Sequence, residues 1–190
     1  MSTVDVCSSA EGYTDVMEVR DPQALEEIYA FRARVWQEVG GLAANAFPAG
    51  GWRDAYDHGG RHWIVRDGRG RLVAAARLTF HATLEEVPEA EEYLRYGLRL
   101  PGPIAAPARV VVCPAAQGAG LGRRLLEAQD QAAWEAGTQR AVRQASPAMV
   151  RLLLPRGWRI LGPATVDPRF PGVPFQVAVL DRAVARRAVG

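Results

Sequence analysis

The chain has 190 residues, 48% of them hydrophobic and 23% charged, with a formal net charge of +2; this is a globular balance, and the charge is too small to argue for nucleic acid or an anionic membrane as partner. No run of ~18 apolar residues spans a bilayer, no basic segment followed by an apolar stretch marks a signal peptide, and Cys7 and Cys113 are too few and too far apart for a disulfide scaffold, so a cytoplasmic protein is expected. All 23 basic side chains are arginine, which excludes a lysine Schiff base and the lysine of a phosphate-binding P-loop.

Residues 1–12 read as a flexible leader, and 13–190 as a single domain. Val16 to Val19 predict a short strand. Asp21-Pro22 starts a helix, with aspartate as cap and proline in the first turn. Leu25, Ile28, Tyr29, Arg32, Val35, Trp36 and Val39 follow at helical spacing, and Gly40-Gly41 ends it. Residues 42–60 read as a loop. His62 to Val65 and Leu72 to Phe80 are strands joined by a hairpin turn at Asp67-Gly68-Arg69-Gly70.

Residues 84–100 are expected to be helical, and Pro101 to Pro107 to be a connector. Arg109 to Cys113 is a compact apolar strand, and Pro114 to Gly122 a glycine-rich turn. Arg123 to Ala136 is a helix with Leu121, Leu125, Ala128 and Ala132 on one face. Arg140 to Arg143 reads as a strand, and Ser146-Pro147 opens a short helix ending near Gly157. Strands at 158–161 and 175–180 close the chain. The order is mixed α/β, and its largest turn joins a buried strand to a helix, where open α/β folds bind ligands.

That turn carries the chemistry. Gly118, Gly120 and Gly122 permit close approach of a ligand to the backbone. The following helix offers unpaired N–H groups and a partial positive charge, together an anion cradle. A Walker A loop needs the absent lysine, and a dinucleotide fingerprint needs glycine at position 123, which is arginine. The coenzyme A pattern Q/R-x-x-G-x-G/A is met by Gln117, Gly120 and Gly122. A tight turn without a ligand is the bland alternative.

The run Arg109-Val-Val-Val-Cys-Pro-Ala-Ala-Gln-Gly-Ala-Gly-Leu-Gly-Arg-Arg-Leu-Leu resembles the signature of the GCN5-related N-acetyltransferases. The resemblance extends to the helix at 146–155, to Gly157-Trp158 and to the last strand pair. It implies an α/β fold of α+β type. Its mixed, mostly antiparallel sheet has six to seven strands, is splayed between the fourth and fifth, and is flanked by about four helices. Acetyl-CoA or another acyl-CoA is the implied donor, with the pantetheine arm on Val110, Val111 and Val112 and the pyrophosphate on Gln117, Gly118, Ala119, Gly120, Leu121, Gly122 and Arg123. No metal is implied, and dimers are common in that family.

Two positions depart from the pattern. The short helix often carries a tyrosine as proton donor to the leaving thiolate, and here that position is Leu153; the asparagine often found at its start is Ser146. Cys113, Tyr56 or water are the substitutes. His81, at the end of a strand, and Asp57 are the candidate bases. His58 and His62 have weaker positional arguments, and the histidines and cysteines show no metal-site spacing.

A second resemblance lies in the first half. Phe31-Arg32-Ala33-Arg34-Val35-Trp36, Trp52-Arg53-Asp54-Ala55-Tyr56-Asp57, Ala76-Arg77-Leu78 and Arg109 are similar to the acyl-homoserine-lactone synthases, although their glutamate is replaced by Ala106. This likeness implies an amino-acid-like acceptor, with Asp54 and Asp57 for an ammonium group and Arg77 for a carboxylate. Pairing of the two aspartates with Arg53 or Arg61 is the alternative. The expected function is acyl-CoA-dependent N-acylation of a small amine or amino acid. A longer-chain acyltransferase fed by acyl-CoA or acyl carrier protein, and a non-catalytic coenzyme A-binding module, stay open.

Overall fold

The computed structural model describes residues 12–40, 42, 45–170 and 172–182. The leader apart from Gly12, Cys7 and Gly41 lie outside the described residues. In chain order the elements are β1 (Met17–Val19), α1 (Pro22–Gly40), β2 (Arg61–Arg66), β3 (Leu72–His81), α2 (Glu91–Leu94), β4 (Ile104–Val112), α3 (Leu121–Glu135), β5 (Arg140–Ala145), α4 (Pro147–Leu153), β6 (Arg159–Pro163) and β7 (Gln176–Asp181). The strands form one mixed sheet in the order β1-β2-β3-β4-β5-β7-β6, in which β4 and β5 are parallel.

The chain forms two compact units: the described parts of Met1–Arg77 with Arg109–Ala128, and Leu78–Ala108 with the described parts of Gln129–Gly190. In the first unit, the Asp21 carboxylate accepts from the Ala24 N–H at 2.8 Å and caps α1. Ile28, Phe31 and Val35 are buried along one stripe of that helix, and the charged Arg32 lies in the same stripe. The β2–β3 turn closes through Gly70 N–H to the Asp67 carbonyl at 2.9 Å, while the Asp67 side chain accepts from the Arg69 and Arg71 N–H groups.

The second unit has its core in Leu84, Val87, Tyr93, Ile104, Ala106, Val142, Val177 and Val179. β5 pairs with β7 antiparallel from Arg140↔Asp181 to Ala145↔Gln176. Its parallel register with β4 covers Ile104↔Arg140 and Ala105↔Ala141, at the first ends of both strands.

Three expectations change. Ile104 to Pro107 belongs to β4 and is not a connector. Proline is tolerated in a strand where the ladder is already interrupted. Pro107 precedes Arg109, whose φ of 56° bends the strand. Residues 84–100 hold only a 3-10 turn at Leu84–Glu86 and the single-turn α2, because Pro88 and Gly97 interrupt the segment. Helix α3 starts at Leu121, two residues early, because Leu121 is buried and anchors the first turn.

Candidate active site

The glycine turn follows β4 directly. A 3-10 turn at Pro114–Ala116 carries the chain out of the strand, with Gln117 N–H bonded to the Pro114 carbonyl at 3.2 Å. Gly118 and Gly120 both have positive φ, 84° and 76°, which an L side chain adopts only at a cost. A Cβ added at either would have nothing within 4 Å, so the turn borders open space. The first bond inside α3 runs from Arg124 N–H to the Gly120 carbonyl at 3.1 Å. The N–H groups of Leu121, Gly122 and Arg123 therefore precede the helical ladder and point out of the helix start. This arrangement fits a pyrophosphate. Arg123 is exposed, 3.6 Å from Glu127. Arg124 is turned away, donating to the Thr14 carbonyl at 2.8 Å.

Elsewhere in the first unit, arginines and aspartates from separate segments meet. Arg32 of α1 contacts Asp57 at 2.8 Å, with side chains 0% and 3% exposed. Arg77 of β3 reaches Asp54 at 2.6 Å and Asp57 at 3.0 Å, and Arg109 of β4 holds Asp54 at 2.6 Å. The loop supplying both aspartates is locked by a capping box: Asp57 accepts from the Asp54 N–H at 2.9 Å, and Asp54 from the Tyr56 N–H at 2.9 Å. Arg53 and Arg61 pair elsewhere, with Glu26 and Glu18.

His62 completes this cluster. Its Nδ1 lies 3.2 Å from an Arg32 nitrogen and its Nε2 3.0 Å from the Asp57 carbonyl oxygen. Arginine only donates, so Nδ1 accepts and Nε2 carries the proton. The ring is neutral, and burial lowers its pKa accordingly, with nearby Arg32 and Arg77 acting in the same direction. Burial lowers Arg32 to about 10, which leaves it charged at neutral pH. Burial would raise both carboxyls. For Asp54, Arg77 and then Arg109 outweigh it and hold the group at about 2; for Asp57, Arg32 and then Arg77 bring it below its usual value. Three guanidinium groups thus face two carboxylates and a neutral histidine, a net charge of +1.

The open side of the cluster is formed by Asp54 and Arg109, whose side chains are 27% and 13% exposed. The Arg109 guanidinium lies 3.8 Å from the centroid of the Trp52 ring. Trp52 is seated by Phe47, stacked at 5.2 Å, and by its backbone N–H bonded to the Tyr29 carbonyl. Gly51 permits this approach, since a Cβ there would lie 2.3 Å from the backbone of Tyr29.

Of the residues expected from sequence, Asp54, Asp57 and Arg77 are brought together with Arg32 and Arg109. Val110–Val112 and Gln117–Arg123 follow one another on β4, the turn and the start of α3. His81 ends β3 in the other unit, 2.8 Å from the Thr79 hydroxyl. Leu153 is fully buried, and the Ser146 hydroxyl caps α4. Trp52 joins them without an expected role, as does His62, whose positional argument as a base was weaker than that of His81. The sequence signal for the cluster was Arg32, a charge at an apolar helical position. Among the described residues no helix is long and apolar enough to cross a membrane, and no three His, Cys, Asp or Glu side chains gather as a metal site.

Residues 23–158 match the acetyltransferase (GNAT) family, and the chain belongs to that family. No curated protein sequence matches it. Among solved structures it is similar to BjaI, a CoA-dependent acyl-homoserine lactone synthase determined with SAM and isopentyl-CoA, at 18% identity and TM-score 0.67, over 94% of this chain and 90% of that one. It is similar to FeeM, an N-acyl amino acid synthase from uncultured soil microbes, at 11% identity and TM-score 0.65, over 94% of both chains. An acetyltransferase of the GNAT family from Staphylococcus aureus Mu50 has 11% identity and TM-score 0.58, over 88% of this chain and 99% of that one. At these identities the likeness is one of fold.

Proposed function

We propose that this acyltransferase moves an acyl group from coenzyme A to the amino group of a small, amino-acid-like acceptor. The observation that carries the donor side is the turn at Gly118 and Gly120, left-handed, open and placed at the start of α3. Gln117 to Arg123 hold the pyrophosphate, and the backbone of Val110–Val112 the pantetheine arm. Asp54 takes the acceptor's ammonium on its open side. Arg77 is enclosed by both aspartates, so its expected part in holding a carboxylate passes to Arg109 on the Trp52 ring. Asp57, engaged by two arginines and held in its charged form, keeps Asp54 in place; this role suits it better than that of a base.

In the reaction the bound ammonium first gives up a proton to solvent; the neutral amine then attacks the thioester carbon, the C–S bond breaks and the thiolate leaves. A β4 backbone N–H stabilises the oxyanion, and the amine proton goes to a general base, the part expected of His81 from the sequence. Acetyl is the default acyl group. A longer acyl chain is the second reading, favoured by the joining of Arg32, Asp54, Asp57, Arg77 and Arg109 and by the fold shared with BjaI and FeeM.

Thermal shifts with free coenzyme A, acetyl-CoA and octanoyl-CoA test the donor. A ligand at ~100 times its dissociation constant stabilises by about 2.7 kcal/mol, a rise of roughly 5–10 °C. No shift with any of the three sinks the reading. Thiol release across amines and amino acids then identifies the acceptor class, and a preference for octanoyl-CoA selects the second reading.

A further inference from the structure

Within the arginine–aspartate cluster of the first unit, His62 is the member whose charge can change near neutral pH. It is 1% exposed, whereas the open face of the cluster belongs to Asp54 and Arg109. Both ring nitrogens are committed, Nδ1 accepting from Arg32 at 3.2 Å and Nε2 donating to the Asp57 carbonyl at 3.0 Å. These partners fasten the aspartate loop. Arg32 pairs with the Asp57 carboxylate at 2.8 Å, and that carboxylate accepts from the Asp54 N–H at 2.9 Å. A continuous chain of contacts therefore runs from the His62 ring through Arg32 and Asp57 to Asp54.

A proton on Nδ1 would turn an acceptor into a donor facing the N–H groups of Arg32. The groups around the ring give that second proton no place. Arg32 faces it from α1 and Arg77 from β3, and both are cations already sharing Asp57. The Asp57 carboxylate lies 3.9 Å from Nε2. Tyr29 of α1, against which Arg32 lies, stays a neutral phenol because burial and then Asp57 raise its pKa. Val19, opposite His62 in the register with β1, carries no charge. Protonation takes the cluster from +1 to +2, deprives Arg32 of its acceptor and draws Asp57 toward the ring. The hold of Asp57 on the Asp54 main chain is then lost.

We infer that His62 is a positioning residue for the acceptor: its neutral form holds the aspartate loop so that Asp54 meets the ammonium group, and acceptor binding in acid solution expels one proton from the ring to solvent. This role rests on the acceptor reading proposed above. It adds to that reading a residue that never touches the substrate.

The test is calorimetry with the standard L-amino acids as probes, between about pH 7.5 and about pH 4.5, where a free amino acid stays zwitterionic. The wild-type dissociation constant is expected to hold level at first, then to rise below pH 6.5 with a limiting slope of about tenfold per pH unit. His62→Leu, which offers neither contact, should bind about tenfold more weakly at the upper pH. His62→Gln can accept from Arg32 and donate to Asp57 without titrating, so it should restore most of that affinity and remove the acid loss. Coenzyme A, whose phosphates titrate in this range, should bind all three proteins alike at each pH. Nitrogen NMR of the wild-type histidines should show the His62 ring protonated on Nε2 alone at the upper pH. Its titration should share a midpoint with the loss of acceptor affinity.

A wild-type affinity level over the whole pH range in which the chain stays folded overturns the role. So does a His62→Gln that keeps the acid loss, or a His62 ring charged at the upper pH. The wild-type profile and the NMR titration decide even if neither variant folds. Absence of amino-acid binding at every pH sinks the acceptor reading and this role together, whereas binding indifferent to His62 sinks the role alone.

Discussion

Arg32 on α1 and Asp57 in the loop before β2 form an ion pair at 2.8 Å with neither side chain more than 3% exposed. The pair fastens the aspartate loop to the helix from beneath. It leaves Asp54 and Arg109 as the open face above.

Removing one partner strands the other charge in the interior. Asp57→Ala should lower stability in urea by about 3–5 kcal/mol. Asp57→Asn, which keeps an acceptor oxygen for Arg32, should lose less and should retain the thermal shift with free coenzyme A. A loss below ~1 kcal/mol for the alanine variant would show the pair to be dispensable.

Stability should fall with acid in two stages. His62 has a lowered pKa, so the unfolded chain takes up its proton first and stability declines as pH drops below 6.5. Asp54 at about 2 and the lowered Asp57 favour the fold above their ordinary 3.8, and that contribution disappears as pH falls from there toward 2. Urea midpoints between pH 7 and pH 2 resolve both stages. His62→Gln should flatten the upper one only.

Gly120 should tolerate little. Its φ of 76° makes Gly120→Ala cost about 1–2 kcal/mol, while the open space beyond leaves room for the methyl group. Gly120→Glu carries the same strain and adds a negative charge at the pyrophosphate position. Calorimetry should find coenzyme A binding weakened in the first variant and lost in the second, with both folded. Equal affinity of wild type and Gly120→Glu would contradict the loop assignment.

His81→Gln isolates the proposed base. The turnover rate should drop by roughly 10²–10⁴, with the acyl-CoA dissociation constant unchanged. A drop of less than about threefold would pass the proton to water or another group.

Local chemistry was legible in the order of residues. The capped start of α1, the Asp67–Gly70 hairpin and the glycine turn each depend on contiguous residues whose backbone needs are written in their types, so these elements and the family followed from the sequence alone. Where local rules compete with packing, they misled. Pro107 looked like a connector but sits in β4, and residues 84–100 carried helical composition but form only short turns.

The partners of the arginines were not legible either. The chain has 23 arginines, and which of them meet Asp54 and Asp57 depends on burial. Arg53 and Arg61, close in sequence, are exposed enough to choose surface glutamates, whereas Arg32, Arg77 and Arg109 converge from α1, β3 and β4. Arg143 of β5, only 4% exposed, is the sharper case. Nothing in its sequence neighbourhood separates it from Arg140 three residues earlier. Tertiary packing alone encloses it, because a strand in the middle of a sheet removes water from its side chains whether or not the fold provides a partner.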